Sequence, residues 1–303
     1  MHWILDLILL AALWGASFLL MRLGGAEFGA LPTACLRVAI GGLCLLPLVL
    51  RQGHGAQLKI RSGQFLLLGT LNSAIPFTLF SLAVMAVSTT LTSVLNATTP
   101  LWAALITWLW LGDALGARRW AGLFLGGMGT AMLAYDKSAL VPVSVNLASP
   151  PDTILGIHTQ TLAIAACLLA TFCYGIAANY TKKNLRDVPP LVLATASQFG
   201  AAVFLAIPAI VLWPKTMPSA QAWLAVVALG VFCTGIAYAL YFRLIAKAGA
   251  PRTLTVTFLI PVFAMAYGSL FLNEHITQGM VLWGGVILLG TAIAVYPAKS
   301  AAK

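Results

Sequence analysis

Residues 92–113 read TSVLNATTPLWAALITWLWLGD, and residues 253–274 read TLTVTFLIPVFAMAYGSLFLNE. A shift of 161 residues aligns these two stretches without a gap. The same shift continues outward in both directions. The matched positions are Gly69 with Gly230, Ile75 with Ile236, Leu79 with Leu240, Thr92 with Thr253, Pro100 with Pro261, Leu109 with Leu270, Leu111 with Leu272, Asp113 with Glu274, and 129–131 with 290–292. One constant offset from residue 69 to residue 131 predicts that the chain contains two related halves.

The composition predicts a membrane protein. Of the 303 residues, 61% are hydrophobic and only 8% are charged, whereas soluble domains carry about 25% charged residues. A bilayer span needs about 20 apolar residues, so ten spans with short loops fit this length. The composition excludes a soluble enzyme, a secreted disulfide scaffold and a disordered chain.

Hydropathy and helix breakers predict an all-α polytopic fold of ten transmembrane helices. They lie at about 3–22, 32–50, 64–84, 88–111, 118–135, 159–180, 189–212, 219–243, 251–272 and 277–296. The only long connection contains three prolines and separates five helices from five. We therefore predict a first repeat at 1–136, a linker at 137–158, a second repeat at 159–297 and a cytoplasmic tail at 298–303. Because each repeat has an odd number of helices, the second enters the membrane in the opposite sense, an architecture typical of secondary transporters.

The distribution of Lys and Arg predicts the orientation. If the N-terminus lies in the cytoplasm, 13 of the 17 basic residues fall in cytoplasmic segments and 3 in outer segments, with Arg37 inside the second helix. This bias follows the positive-inside rule and places both termini in the cytoplasm. We therefore attribute the net charge of +10 to basic residues in the cytoplasmic loops, and we expect no nucleic-acid partner.

The sequence offers no catalytic, metal or cofactor motif. All five cysteines lie in apolar runs without metal-site spacing, so we interpret them as buried hydrophobes. The seven acidic residues map to helix ends or loops, which leaves no obvious proton relay. We expect a protein that is not an enzyme and has no cofactor. The alternative of an intramembrane enzyme or scaffold remains open.

Pro100 and Pro261 fall inside predicted helices at equivalent positions. Proline removes a backbone donor and frees a carbonyl, which at membrane depth must be satisfied by protein or by a cavity. Asn96, Thr98 and Thr99 precede the first proline, and Thr255 and Thr257 precede the second. One interpretation is two broken helices beside a central site. The alternative is a packing kink relieved by Ser and Thr hydroxyls.

Polar and aromatic side chains within the predicted spans are candidates for binding a solute. An amide at membrane depth needs a partner or a cavity, whereas aromatic residues at helical spacing are more often lipid-facing or core. The candidate substrate-binding residues are Trp14, Ser17, Asn72, Phe77, Asn96, Thr99, Trp102, Tyr174, Asn179, Tyr238, Thr257 and Tyr267.

Three charged residues form a second set of candidates. Arg37 is the only basic residue well inside a predicted span; it either attracts a carboxylate or extends outward to Glu27 or the interface. Asp113 and Glu274 close equivalent helices at opposite membrane faces. They are either interfacial ends held by nearby donors or a pair of gating residues.

The chain resembles the EamA branch of the drug/metabolite transporter superfamily, and more narrowly the YddG-like aromatic amino acid exporters. The resemblance rests on residues 14–18 with Arg22, residues 32–37, 100–113 and 261–274. The glycine that usually precedes the terminal acid of the ninth helix is Asn273 here.

This resemblance implies an exporter of the bacterial inner membrane that works by alternating access. Its central cavity would be lined by the first, third, fourth, sixth, eighth and ninth helices. The implied solutes are hydrophobic or aromatic amino acids and related small metabolites. Because no carboxylate lies near the middle of a predicted span, we expect facilitated diffusion. The alternative is proton antiport of purines, cysteine derivatives, sugars or drugs. The expected partners are the small-molecule substrate and membrane lipid, with the protein a monomer.

Overall fold

The computed structural model describes residues 2–136, 153–154 and 157–295. Nearly all of them are helical. The elements are α1 (His2–Phe28), α2 (Ala30–Arg51), α3 (Gln57–Ile60), α4 (Ser62–Gly69), α5 (Ile75–Ala86), α6 (Thr89–Asn96), α7 (Thr99–Leu111), α8 (Ala117–Tyr135), β1 (Thr153–Ile154), β2 (Ile157–His158), α9 (Thr159–Asn184), α10 (Pro190–Val211), α11 (Ala220–Gly230), α12 (Ala237–Ala248), α13 (Ala250–Thr253), α14 (Val256–Leu272) and α15 (Gln278–Val295). Two π-helical segments, Thr70–Ala74 and Val231–Ile236, join α4 to α5 and α11 to α12.

Eight helical stretches are long and apolar enough to cross a membrane. They are Trp3–Phe28, Ala30–Arg51, Ser62–Ala86, Thr89–Leu111, Thr159–Asn184, Pro190–Val211, Ala220–Ala248 and Gln278–Val295. α14 is also apolar but has 17 residues, and α8 carries Arg118 and Arg119 in its first turn. All ten predicted helices are therefore helical, and the crossing of the membrane by α8 and α14 stays a prediction.

The outer surface of the bundle is strongly apolar. Phe124 on α8, Ile207 on α10 and Leu270 on α14 are each 75% exposed. Large aliphatic and aromatic side chains exposed in such numbers are unfavourable in water. These helix faces therefore suit contact with lipid.

Several helix pairs approach closely because small residues lie between them. A Cβ atom on Gly290 of α15 would lie 2.4 Å from the backbone nitrogen of Gly126 on α8. Between α4 and α10, a Cβ on Gly69 would lie 2.4 Å from the carbonyl oxygen of Ser197. Glycine allows this backbone approach, which is a common way to associate helices in membranes.

The local backbone follows the 161-residue offset seen in the sequence. The two π-helical segments begin at Thr70 and Val231. The ends of α7 and α14 are left-handed at Gly112 (φ 72°) and Asn273 (φ 52°). Both pairs of positions are 161 residues apart. Asparagine is the next residue after glycine to adopt a left-handed helix cap, which explains why Asn273 replaces the usual glycine.

The long connection between the two halves is only partly described. Its described residues form a short antiparallel hairpin in which Thr153 pairs with His158 and Ile154 with Ile157. The remainder of the predicted linker and the predicted cytoplasmic tail at 298–303 lie outside the described residues.

Candidate functional site

Arg37 lies buried at the contact between the two halves. Its side chain is on α2, and the residue is only 4% exposed. The Nε atom donates to the hydroxyl of Thr234 at 3.1 Å, and the guanidinium carbon lies 3.7 Å from the ring centroid of Phe77. A cation over an aromatic face is stabilised by the ring quadrupole. The guanidinium thereby connects α2 to α5 in its own half and to a π-helical segment in the other.

The predicted alternative in which Arg37 extends to Glu27 is wrong. The Glu27 carboxylate instead accepts hydrogen bonds from the backbone nitrogen and the hydroxyl of Ser219, both at 2.6 Å. Ser219 caps the N-terminus of α11, so Glu27 is bound at that helix end. Arg37 remains inside the bundle.

Aromatic side chains from both halves surround Arg37. The hydroxyls of Tyr174 and Tyr238 lie close enough to interact electrostatically with its charge. Trp14 packs edge-on against Tyr238, with ring centroids 6.4 Å apart. Phe80 stacks against Tyr174 at 6.2 Å. Edge-to-face and offset geometries at such distances are favourable.

Both π-helical segments contribute a polar side chain to this region. Thr234 accepts the hydrogen bond from Arg37, and Asn72 lies beside the Tyr238 hydroxyl together with Gln198. A π-helical turn inserts an extra residue into the helix and is frequent at functional sites. We call Trp14, Arg37, Asn72, Phe77, Tyr174, Tyr238 and Thr234 the central cluster.

The central cluster combines partly exposed aromatic and polar side chains. Trp14, Asn72, Tyr174 and Tyr238 stay partly exposed although they lie in the middle of helices surrounded by other helices. The cluster combines aromatic faces, an amide, hydroxyls and one cation, a set suited to an apolar solute that carries a polar group.

The sequence pattern does not mark Thr234 and Gln198 as site residues. Each lies in an apolar run, and neither type of residue is unusual in a membrane helix. The fixed offset between the halves pairs Asn72 with Cys233, one residue before Thr234. This pairing with a candidate residue is the one sequence feature that points to the region of Thr234.

The predicted helix break at Pro100 is present, and the break predicted at Pro261 is wrong. The chain leaves α6 after Asn96 and re-enters a helix at Thr99, so Pro100 lies in the first turn of α7. Pro261 instead lies within the continuous helix α14. In the second half the interruption comes earlier, at Leu254 and Thr255.

Hydroxyl groups satisfy the carbonyls at the break beside Pro100. The hydroxyls of Thr98 and Thr99 donate to the carbonyls of Leu95 at 2.7 Å and Asn96 at 2.8 Å. The carbonyl of Ala97 accepts from the hydroxyl of Thr291 at 3.1 Å. These contacts favour the alternative of a kink relieved by hydroxyls, because the carbonyls already have donors. Thr257 acts similarly on the carbonyl of Leu254, at 2.8 Å.

The remaining predicted binding residues make separate contacts. Ser17 donates to the carbonyl of Trp14 at 2.7 Å. Trp102 packs edge-on against Phe172, with centroids 5.4 Å apart. Tyr267 packs between Phe263 and Phe271 on α14, with centroids at 6.2 and 6.3 Å, and its hydroxyl lies near Cys233.

Asn179 fastens α9 to α7. Its amide nitrogen donates to the carbonyls of Ala103 at 3.0 Å and Gly175 at 2.9 Å. Its oxygen accepts from the hydroxyl of Thr107 at 2.6 Å. With both donors and the oxygen engaged, the amide has little capacity left for a solute.

We therefore expect Asn179→Leu to reduce stability while leaving solute affinity unchanged. The substitution removes the hydrogen bonds that join the amide to the Thr107 hydroxyl and the Ala103 carbonyl on α7, and hydrogen bonds between membrane helices contribute about 0.6 kcal/mol on average, with a maximum of about 1.7 kcal/mol. Thermal unfolding of the purified protein in detergent measures the first effect and a binding titration the second. A change in affinity without a change in the unfolding temperature would contradict this role.

Glu274 closes the end of the bundle that is predicted to face outward. Its carboxylate accepts from the backbone nitrogens of Thr89 at 2.7 Å and Thr90 at 3.2 Å, and from both hydroxyls. Arg22 lies 3.8 Å away, and both charged side chains are almost fully buried. The end of α14, the start of α6 and α1 are thereby joined by one carboxylate.

Asp113, the counterpart of Glu274 in the first half, lies in a different environment. Its carboxylate accepts from the Lys182 ammonium at 2.8 Å, and both side chains are about half exposed. This hydrogen bond lowers the pKa of the Asp113 carboxyl. Exposed ion pairs contribute little to stability. One end of the bundle is therefore tied by a buried network, and the other has only a surface ion pair at the equivalent position.

A surface groove of about 370 Å³ lies between α4 and α10. Leu58, Phe65, Leu66, Phe199 and Val203 are among the residues that line it. None of the predicted binding residues is in this lining. Because the groove opens beside exposed apolar residues such as Val203, it belongs to the periphery of the bundle.

Comparison with known proteins gives the same fold and a family. A solved crystal structure with 21% sequence identity matches with a TM-score of 0.65, covering 97% of this chain and 96% of that one. The uncharacterized transporter YvbV of Bacillus subtilis (strain 168) is 24% identical over 98% of this chain and 92% of its own length. An uncharacterized transporter of Archaeoglobus fulgidus is 21% identical over 97% of this chain and 98% of its own length.

The model of the EamA-like transporter family matches residues 1–135 and 161–296. These two segments contain every residue of the central cluster and both members of the Arg22–Glu274 pair. The chain belongs to the EamA-like transporter family and is a multi-pass membrane transporter, not an enzyme.

Proposed function

We propose that this protein exports hydrophobic and aromatic amino acids and related small metabolites through the central cluster by alternating access. The observation that carries the proposal is that the cluster is shared between the halves. Arg37 bonds Thr234 and Trp14 packs on Tyr238, while Tyr174 of the cluster packs on the neighbouring Phe80 of the first half. A solute bound between two repeats can be exposed to either side as the repeats rock against each other.

The proposed architecture is ten spans arranged as two inverted repeats, with both termini in the cytoplasm of a bacterial cell. The 161-residue offset of the π-helical segments and of the left-handed helix ends supports the repeat. The pairing of helices supports it as well: α8 contacts its own counterpart α15, and α2 contacts α10. The excess of basic residues in alternate loops supports the orientation.

In this proposal the Glu274 network holds the predicted outer end together. The buried carboxylate of Glu274 joins three helices at the predicted outer end. At the predicted cytoplasmic end, Asp113 is exposed and pairs with Lys182, while the buried Asp6 of α1 pairs with Arg243 and Lys247 of α12. Export would require the Glu274 network to open.

The substrate assignment rests on the chemistry of the cluster. Trp14, Tyr174 and Tyr238 offer aromatic surface that can cover an apolar side chain, and Asn72 offers an amide beside it. Facilitated diffusion fits a cluster in which Arg37 is the one formally charged group.

The test is flux of labelled phenylalanine from proteoliposomes along its gradient, at equal pH on both sides. Absence of transport of Phe, Trp, Tyr, Met and Thr contradicts the substrate class, and a requirement for a pH gradient contradicts facilitated diffusion.

Tyr238→Ala is expected to reduce phenylalanine flux at low solute concentration by about tenfold. The substitution removes the ring that packs on Trp14, and a loss of about 1.4 kcal/mol of binding corresponds to a factor of ten. The matched control is Phe124→Ala, because Phe124 is 75% exposed on the outer face of α8. Equal flux in the two variants, at equal amounts of reconstituted protein, would contradict the assignment of the cluster.

A further inference from the structure

The charge of Arg37 has no acidic partner in the part of the chain that the structure describes. Among the residues that the structure describes, no carboxylate oxygen lies within salt-bridge distance of its guanidinium. The chain has seven acidic residues, of which two, Asp136 and Asp152, lie in the connection between α8 and α9. The other five are engaged elsewhere: Asp6 with Arg243 and Lys247, Glu27 with Ser219, Asp113 with Lys182, Asp187 with Arg61, and Glu274 with Arg22.

The neutral contacts of Arg37 leave hydrogen-bonding capacity unused. A guanidinium has five N–H donors and stays protonated in proteins. Nε donates to Thr234, and Nη1 lies 3.3 Å from the sulfur of Met21. In the described part of the chain, Nη2 makes no hydrogen bond. A charge buried inside a membrane protein is costly and usually marks a solute or ion site, so these contacts alone give a poor reason to keep an arginine here.

The surroundings of Arg37 determine what could bind it. The planar fork of a guanidinium matches a carboxylate, which accepts two parallel hydrogen bonds. Phe77 covers one face of the fork, and Tyr174 and Tyr238 are its titratable neighbours together with Cys233. None of these groups carries a negative charge at neutral pH. The cluster can therefore attract a carboxylate but offers no ionic partner to an ammonium group.

We propose that Arg37 binds the carboxylate of the transported solute, and that an amine on the solute is not required. This inference rests on the proposed function of the central cluster and narrows its substrates to hydrophobic monocarboxylates. Aromatic amino acids are one subset of these, and aromatic carboxylic acids without an amino group are another. The aromatic rings of the cluster hold the apolar body while the guanidinium fixes the charged end.

Three analogues of one shape test this in the full-length protein. The probes are 3-phenylpropionate, its neutral amide and phenethylamine, titrated in detergent with tryptophan fluorescence as the readout because Trp14 is part of the cluster. The acid is expected to bind at least about tenfold more tightly than the amide, as hydrogen bonds between ionised groups are the strong ones. Phenethylamine is expected not to compete. Equal affinities for acid and amide, or no binding of the acid, would overturn the proposal.

Substitutions at Arg37 give a second test. Arg37→Gln is expected to remove the preference for the acid, leaving the acid and amide affinities within about twofold of each other. Arg37→Lys keeps the charge but loses the fork, so an intermediate preference is expected. The control Arg61→Gln removes an exposed cation that pairs with Asp187, and it should keep the full preference. A full preference in Arg37→Gln would overturn the proposal; if that variant does not fold, the wild-type analogue series decides.

The binding and flux results separate this inference from the proposed function. If the acid binds selectively but no solute crosses the membrane in proteoliposomes, the transport proposal fails and the role of Arg37 stands. If solutes cross and the amide or phenethylamine competes as well as the acid, the role of Arg37 fails and transport stands.

Discussion

Glu274→Ala is expected to lower the free energy of unfolding by about 3–5 kcal/mol, the cost of breaking a buried ion pair by removing one partner. The side chains of Arg22 and Glu274 are 3% and 4% exposed. Without the Glu274 carboxylate, water therefore cannot hydrate the Arg22 guanidinium that remains buried. The substitution also removes the acceptor for the backbone nitrogens of Thr89 and Thr90 at the start of α6. Thermal and chemical unfolding of purified protein in detergent measure the effect.

The matched control is Asp113→Ala, at the position 161 residues earlier. Asp113 is exposed and pairs with the exposed Lys182, so its removal should leave the unfolding temperature unchanged within error. Adding Arg22→Met to Glu274→Ala should recover part of the lost stability, because the double variant no longer buries an unpaired cation. Equal unfolding temperatures for Glu274→Ala and Asp113→Ala would refute the buried network.

The same comparison bears on transport. Glu274 ties α14, α6 and α1 together at one end of the bundle, whereas Asp113 makes no equivalent buried network among the described residues. If the Glu274 network stabilises the closed outer end, then weakening it favours the other conformation. The substitution shifts the populations of the two conformations only as far as it changes the free-energy difference between them. We therefore expect Glu274→Ala to be less stable and also to open outward more readily.

The sequence predicted the helices well because membrane spans are decided by local composition. Each span needs a long apolar run, and the boundaries fall at glycines, prolines and charged residues such as Arg51 and Pro190. The offset between the halves predicted that α7 and α14 end at equivalent positions, just before Asp113 and Glu274. The positions of the spans and of their ends depend on few contacts between residues distant in sequence.

The direction and partners of individual side chains could not be predicted in the same way. Pro261 resembles Pro100 in position, yet α14 is continuous through it, because helix geometry there depends on packing against neighbouring helices. The sequence predicts an amide at membrane depth at Asn179, but not that its partners on α7 saturate it. Arg37 was recognised as unusual, but its neutral contacts with Thr234 and Phe77 depend on the π-helical segment and on α5. Hydropathy does not signal such segments.

The contact between α8 and α15 gives the second large effect. Gly290→Ala is expected to lower the free energy of unfolding by about 1–3 kcal/mol, the usual cost of overpacking. A Cβ atom at Gly290 would lie 2.4 Å from the nitrogen and 2.7 Å from the Cα of Gly126, and 2.8 Å from the carbonyl oxygen of Gly122. All three atoms belong to the backbone, so no side-chain rotation can make room and the helices must separate.

Gly285→Ala on the same helix is the control, because its Cβ would meet no atom within 4 Å. It makes the same chemical change without a clash, and alanine is a better helix former than glycine by about 1 kcal/mol. The two variants should therefore shift the unfolding temperature in opposite directions. Since α8 and α15 are counterparts in the two halves, Gly290→Ala weakens a contact between the halves outside the central cluster. The unfolding temperature should fall while the preference for the acid over the amide persists; equal unfolding temperatures for Gly290→Ala and Gly285→Ala would contradict close backbone packing at this contact.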